Sequence, residues 1–331
     1  MTRADDIHEF LTSTGWAKAT RAPLAGDAGN RRYERLVDSA NNKAVLMDAD
    51  PAMGEDVRPF LKIAAHLTSC GLAAPKIFAK NAEQGLILMQ DFGDGLLFTL
   101  AEQSPDLELG LYRLALAALD QLHKTAPPTA VGQYMADDMA KGAEITLAWY
   151  CNQELAAAIA AELRMQLQNL DWSDPVLVLR DYHAQNLIYR PEETGLDQMG
   201  QLDFQDARLG HPLYDAASLI HDARRSLAPT VAHQLKQELA ANYQRADTFE
   251  HAFSTLSAQR NLRVLALFAR LCLRDGKPGY LDLMPHVWDN LWRDLSHPDL
   301  AALAKICANL PPPSPELRSK LRAKCATRPT N

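Results

Sequence analysis

The chain has 331 residues, 47% hydrophobic and 23% charged, the make-up of an ordinary soluble globule with material for a large core and more length than one typical domain. A net charge of −7 excludes a general nucleic-acid binder, because a surface that neutralises phosphates carries a basic excess. Five cysteines without C-x-x-C spacing exclude a zinc site and a disulfide frame and fit reduced thiols in the cytoplasm; no apolar signal segment opens the chain, and its most apolar run, Leu262 to Leu273, is interrupted by Arg263 and Arg270 and too short to cross a bilayer.

In chain order, Ile7, Phe10 and Leu11 fall on one face of a short helix over Asp5 to Ser13. A first strand is expected over Ala19 to Ala25, then GDAGN (Gly26 to Asn30), then a second strand in RRYERLV. Small residues such as Gly26 and Gly29 let a backbone close over a phosphate, and they equally suit an ordinary hairpin turn. Lys43 to Met47 is the third strand. Arg31, Arg32, Arg35 and Lys43 are the cations on these strands, and alternation puts Arg31 and Arg35 on one face with Arg32 on the other. Glu55 to Ser69 carries Val57, Phe60, Leu61, Ala64 and Leu67 at the helical period, with Pro59 in its first turns and Gly71 as its stop. Pro75 to Phe78 and Leu86 to Met89 complete a set of five strands.

From Asp106 the pattern becomes helical, with Leu107, Leu111, Leu114, Ala118, Leu119 and Leu122 forming a broad stripe that ends at His123 before Pro127-Pro128. Ala136 to Leu170 supplies two further helices with Trp149-Tyr150 between them. Leu235 to Arg245, Ala252 to Arg274 and Leu281 to Asp294 close the chain ahead of a basic tail, Arg318 to Arg328, for which a frayed, solvated end is expected. The division expected is residues 1–91 as a small-sheet lobe and 92–331 as a helical lobe, giving an α+β protein.

Between these helices lies VLVLRDYHAQNLIYRPEETGLDQMGQLDFQDARLGHPLYD, Val176 to Asp215. Apolar runs at Val176 to Leu179, Leu187 to Tyr189 and Met199 to Leu202 read as strands joined by polar loops. Asp181 opens the first loop, Asn186 closes it, and Asp203 sits just past the third strand. Two hard oxygen donors beside a further carboxylate suit Mg²⁺ and a hydroxyl nucleophile. The metal shares oxygen ligands with phosphate, and the carboxylate orients the alcohol and accepts its proton. The reaction implied is phosphoryl transfer.

At these residues the chain resembles the aminoglycoside phosphotransferase family, which shares its architecture with eukaryotic-like protein kinases. Arg180-Asp181 followed by Asn186 matches the catalytic-loop pattern H-R-D-x-x-x-x-N from its second position, and Asp203-Phe204 matches the start of D-F-G. Leu179 stands in place of the His and Gln205 in place of the Gly. LAGDAGNRRYERL, VLMDADP, RDYHAQNL and DFQDARLGHPLYDAASLIHDARR look most like the branch that phosphorylates the anomeric hydroxyl of N-acetylmuramate and N-acetylglucosamine in cell-wall recycling.

The resemblance implies a two-lobed kinase-like fold, ATP and Mg²⁺ as co-substrate and cofactor, and a small sugar as acceptor, with no nucleic-acid, membrane or obligate protein partner. It implies Asp181 as catalytic base, Asn186 and Asp203 as metal ligands, and Arg180 and Asp215 as supports of the catalytic loop. Nucleotide contacts are implied at Gly26, Gly29 and Arg32, and through the backbone at Gln90 and Phe92. The strand lysine of kinases falls at Met47, so phosphate neutralisation must come from elsewhere. For the acceptor the candidates are His183, Gln205, Arg208, Trp149, whose ring suits a sugar face, and Arg225, whose guanidinium matches a lactyl carboxylate. Trp149 equally suits a core, and the Arg224-Arg225 pair a solvated helix end. Two rival readings remain at this stage: the same chemistry on an aminoglycoside, choline or homoserine, and a non-catalytic pseudokinase.

Overall fold

The computed structural model describes residues 2–24, 30–243 and 245–328, so Gly26 and Gly29 lie outside the described residues. Packing divides the chain into two units: Met1–Thr99 with Gln185–Asp206, and Leu100–Ala184 with Ala207–Asn331.

The first unit opens with α1 (Arg3–Ser13), whose N-terminus is closed by a reciprocal Thr2/Asp5 capping box. Strands β1 (Thr20–Leu24), β2 (Arg32–Val37) and β3 (Lys43–Asp48) follow, then α2 (Arg58–Ser69), β4 (Ile77–Asn81) and β5 (Leu86–Gln90). The five strands form one antiparallel sheet in the order β1-β2-β3-β5-β4. Ile7, Phe10 and Leu11 of α1 bury against Leu36, Ala44, Leu46, Leu86 and Leu88. Those sheet residues share one parity in the observed register, so α1 covers one face. Tyr33, Arg35, Val45, Met47, Ile87 and Met89 lie on the other.

Helix α2 begins later than the apolar period suggests, leaving Glu55 and Asp56 in the preceding segment. Pro59 lacks an N–H and is tolerated only in a first turn, which fixes the start at Arg58. The Asp56 carboxylate accepts the Arg58 amide at 2.9 Å.

Helix α3 (Leu97–Gln103) runs across the boundary at Thr99. The second unit holds α4 (Pro105–His123), α5 (Ala136–Leu147), α6 (Gln153–Gln168) and strand β6 (Val176–Val178). Strands β7 (Leu187–Tyr189) and β8 (Met199–Gln201) form a hairpin that belongs to the first unit, and β9 (Arg208–Gly210) returns to the second to pair with β6. Then come α7 (Tyr214–Ile220), α8 (Pro229–Asn242), α9 (Phe249–Leu273), α10 (Met284–Leu295), α11 (Ala301–Cys307) and α12 (Pro315–Arg322). Helix α9 is buried around most of its circumference and packs against α5, α7 and α10, so it is the spine of this unit.

The basic tail departs from expectation. It is not a frayed end: Ser314 caps α12, Arg318 and Arg322 pair with Asp282 at 3.2 and 2.9 Å, and the amides of Ala326 and Arg328 reach the carbonyls of Cys272 and Leu273 at 3.0 Å each. The last carbonyls of α9 have no partner within the helix, and the tail supplies their donors. Among the described residues no helix is long and apolar enough to cross a membrane.

Candidate active site

In the first unit the β7–β8 hairpin brings Asn186 and Asp203 to its open end. Leu187 pairs with Gln201, and the Leu202 amide donates to the Asn186 carbonyl at 2.9 Å, so the two residues flank the last rung of the ladder. Both are half-buried. Phe204 is fully buried and stacks on Phe60 of α2, with ring centroids 4.8 Å apart, so the residue after Asp203 is locked into the core. Asp203 itself takes a left-handed backbone with φ of 56°, which for a side chain with a Cβ costs on the order of 1–2 kcal/mol. Gln205 donates its amide N–H to Asp203 Oδ1 at 2.6 Å. A carboxylate and an amide carbonyl on adjoining backbone positions are oxygen donors of the kind Mg²⁺ takes, leaving its other positions to water and phosphate.

In the second unit the loop after β6 carries Asp181. It is pinned from below by Asp215, which has no exposure and whose carboxylate accepts the amides of Leu179 at 2.5 Å and Arg180 at 2.9 Å. Burial pushes Asp215 up to about 7, against the two amide donors, which pull its carboxyl down. Arg180 has φ of 72°, and its guanidinium lies 4.7 Å from the centre of the Tyr134 ring. The far end of the loop is held by Asp222, which accepts the Ala184 amide at 3.2 Å and the Arg224 amide at 2.9 Å. Arg224 Nη1 in turn donates to His183 Nε2 at 3.1 Å, so this nitrogen is an acceptor. Burial, then Arg224, hold His183 well below its ordinary pKa, and the ring stays neutral. His183 is 3% exposed and acts as a pin within the loop.

The remaining candidates fall in several places. Arg32 is exposed and shares the parity of the α1-covered face, opposite Asp48, which Arg3 of α1 binds at 2.9 Å. Gln90 ends β5, with its amide on the Lys76 carbonyl at 2.8 Å. The Phe92 side chain joins Ala73 and Ile188 in a small core, with the Arg190 guanidinium 4.4 Å from its ring centre. In the second unit Trp149 is half-buried past the end of α5. Arg208 is exposed and passes over Gly132, where an added Cβ would sit 2.8 Å from its Nη1. Arg225 lies inside that unit, paired with Glu108 and donating to the Tyr112 hydroxyl at 3.4 Å, so its charge is matched by the protein itself. The Glu108 pairing is also what separates it from the solvated helix end that its sequence suggested.

Sequence reasoning missed Asp222, Tyr134 and Arg263. Arg263 hydrogen-bonds Tyr214 and feels the charge of Asp181, and Tyr134 sits edge-on to Tyr214 at 5.2 Å. The signal for Arg263 was its place inside the apolar run of α9, since a cation in such a run needs a partner. Met47 is fully buried, and the neighbouring cations are distributed differently: Arg31 binds Glu55 at 2.9 Å, and Arg35 is held by Asp91 at 2.6 Å and Asp94 at 2.9 Å.

The chain is similar to known proteins over most of its length. The model of the phosphotransferase enzyme family matches residues 20–249. The N-acetylmuramate/N-acetylglucosamine kinase of Caulobacter vibrioides is 34% identical over 89% of this chain and 93% of its own length. The kinase of the same name from Pseudomonas aeruginosa is 30% identical over 92% and 94%. Among solved structures, aminoglycoside phosphotransferase APH(3″)-Id of Streptomyces rimosus, in complex with ADP and streptomycin, superposes with a TM-score of 0.53 at 16% identity, covering 78% of this chain and 99% of that one.

Proposed function

The chain belongs to the phosphotransferase enzyme family, and we propose that within it this enzyme is a cytoplasmic ATP- and Mg²⁺-dependent kinase for the anomeric hydroxyl of N-acetylmuramate and N-acetylglucosamine. Asp181 orients the sugar hydroxyl and accepts its proton as the oxygen attacks the γ-phosphorus, and ADP leaves with the displaced bridging oxygen. Asp203 and Asn186 would hold Mg²⁺, which neutralises charge on the phosphates. Asp215 and Asp222 keep the Asp181 loop in one conformation through backbone amides. In this reading residues 1–91 grip the nucleotide, with backbone contacts at Gln90 and Phe92, while 92–331 carry the catalytic and metal-binding loops and the acceptor pocket. The metal-binding hairpin packs with the first of these.

The observation that carries the reading is the pair of oxygen donors at the open end of β7–β8, in a chain whose relatives, across nearly their whole length, bear the name of kinases for these two sugars. The fold alone does not choose the acceptor, since a neighbour of the same fold binds streptomycin.

A coupled assay for ADP release tests this with N-acetylmuramate, N-acetylglucosamine, streptomycin, choline and homoserine as acceptors. Metal-dependent turnover of the two amino sugars is expected, and Asp181→Asn should lower kcat by on the order of 10²-fold or more with nucleotide affinity little changed. Turnover of another alcohol alone would overturn the acceptor. No turnover of any, or a fully active Asp181→Asn, would overturn the mechanism in favour of a binding module.

A further inference from the structure

We infer that Arg31, held in place by Glu55, is the cation that grips the nucleotide's outer phosphates, the task a lysine at Met47 would otherwise perform. The inference rests on the function proposed above and adds to it a residue that the sequence left open.

Met47 has no exposed surface and sits in register between Tyr33 and Ile87, so this position presents sulfur and methylenes within a core and no charge. The sheet face it belongs to is fixed independently by its opposite: Leu36, Ala44, Leu46 and Leu88 turn to α1, and Asp48 binds Arg3 of that helix. Continuing the alternation from Arg35 and Tyr33 back by two residues puts Arg31 on Met47's face. Tyr33 is directly opposite Met47, which makes Arg31 its diagonal neighbour, and a diagonal of roughly 7–8 Å is within the reach of an arginine.

Four other cations of this unit answer less well. Arg32 is exposed on the α1 side, and Lys43 is exposed at the opposite end of β3, paired with Val37. Arg35 shares Met47's face, but two carboxylates, Asp91 and Asp94, already surround its guanidinium. Arg58 is exposed and pairs with Asp56 and Glu83. Among the described residues Arg31 has a single carboxylate partner, and the contact is to Nε, which directs the side chain while the terminal N–H groups form the fork that recognises phosphate. Both partners are less than one-fifth exposed, 19% for Arg31 and 17% for Glu55, so the pair has a defined geometry that a freely solvated pair lacks. Glu55 is the positioning residue. Its place just ahead of α2, fixed by Pro59, is what brings it to Arg31.

The test is calorimetric titration of the full chain with ATP, ADP and AMP in the presence of Mg²⁺. Arg31→Ala is expected to weaken ATP and ADP by on the order of tenfold or more and to leave AMP within about twofold, because only the outer phosphates lose a partner. Arg31→Lys should recover part of the loss, and Glu55→Gln should weaken ATP and ADP without affecting AMP. Arg21→Ala, which breaks the exposed Arg21–Glu34 pair, should bind all three as the parent does. The assignment fails if Arg31→Ala binds ATP as the parent does, if it loses AMP equally, or if Lys62→Ala on α2 alone gives the phosphate-dependent loss. A parent protein that binds none of the three would instead overturn the kinase function itself, and this assignment with it.

Discussion

Asp215 shows how one residue can hold a loop and set a pH dependence. With no exposure, its carboxyl rises from an ordinary 3.8 to about 7 because burial penalises the charge more than two amides and Arg260 reward it. A group whose folded pKa is raised contributes stability that is fully present below its unfolded value, here about pH 3.8, and lost as pH rises through about 7. Urea unfolding of the parent should therefore carry a downward slope between about pH 4 and about pH 7, worth on the order of a few kcal/mol, that Asp215→Asn lacks. The variant should also be less active, since Leu179 and Arg180 donate to separate carboxylate oxygens and the NH2 that replaces one of them would face a backbone donor. Parallel pH curves for the two proteins would show that Asp215 does not titrate in this window. Asp181, Asn186 and Asp203 stand out as candidates at this scale because spacing along the chain marks them. Arg263 and Asp222 were not, because their partners, Tyr214 for one and the amides of Ala184 and Arg224 for the other, are defined only by the fold.

At the scale of elements the β7–β8 hairpin depends on one missing side chain. Gly200 lies opposite Ile188, and a Cβ there would come 2.6 and 2.8 Å from two carbons of the Phe92 ring. Phe92 cannot retreat cheaply, because it is packed against Ala73 and Ile188 with Arg190 over its face. Gly200→Ala is thus expected to destabilise the protein by about 1–3 kcal/mol. Because the hairpin's open end carries Asn186 and Asp203, the same change should raise the Mg²⁺ concentration needed for half-maximal turnover. Differential scanning fluorimetry and a metal titration check the two effects, and an unchanged Tm with unchanged metal demand would remove the proposed link. Elements of this kind were largely legible: strong periods gave α2, α4 and α9 and most strands to within a few residues. Where the sequence reading and the structure part, a single residue or a distant partner decides. Pro59 delays the start of α2, and the Asp282 carboxylate with the end of α9 orders a tail that composition alone reads as solvated.

For the whole molecule, the instructive feature is that the chain visits its first unit twice. A reading along the sequence meets Gln185–Asp206 in the middle of a helical region, yet Phe204 stacks on Phe60 of α2 and Ile188 joins Phe92 and Ala73, so this segment packs into the same unit as the five-stranded sheet. Periodicity records that such residues are buried and is silent on which core they enter; that is why a discontinuous unit is hard to see before folding. Ligands stabilise what they bind by mass action, so a ligand that engages this unit should slow its local opening as a whole. Hydrogen exchange with and without Mg²⁺ and a non-hydrolysable ATP analogue is therefore expected to show added protection over Arg32–Asp48, Leu86–Gln90 and Leu187–Gln201 together, although the last of these is nearly a hundred residues further along the chain. Protection of the sheet strands with no change in Leu187–Gln201 would mean that the hairpin opens independently of the nucleotide. Asn186 and Asp203 would then be poor choices as the ligands of its metal.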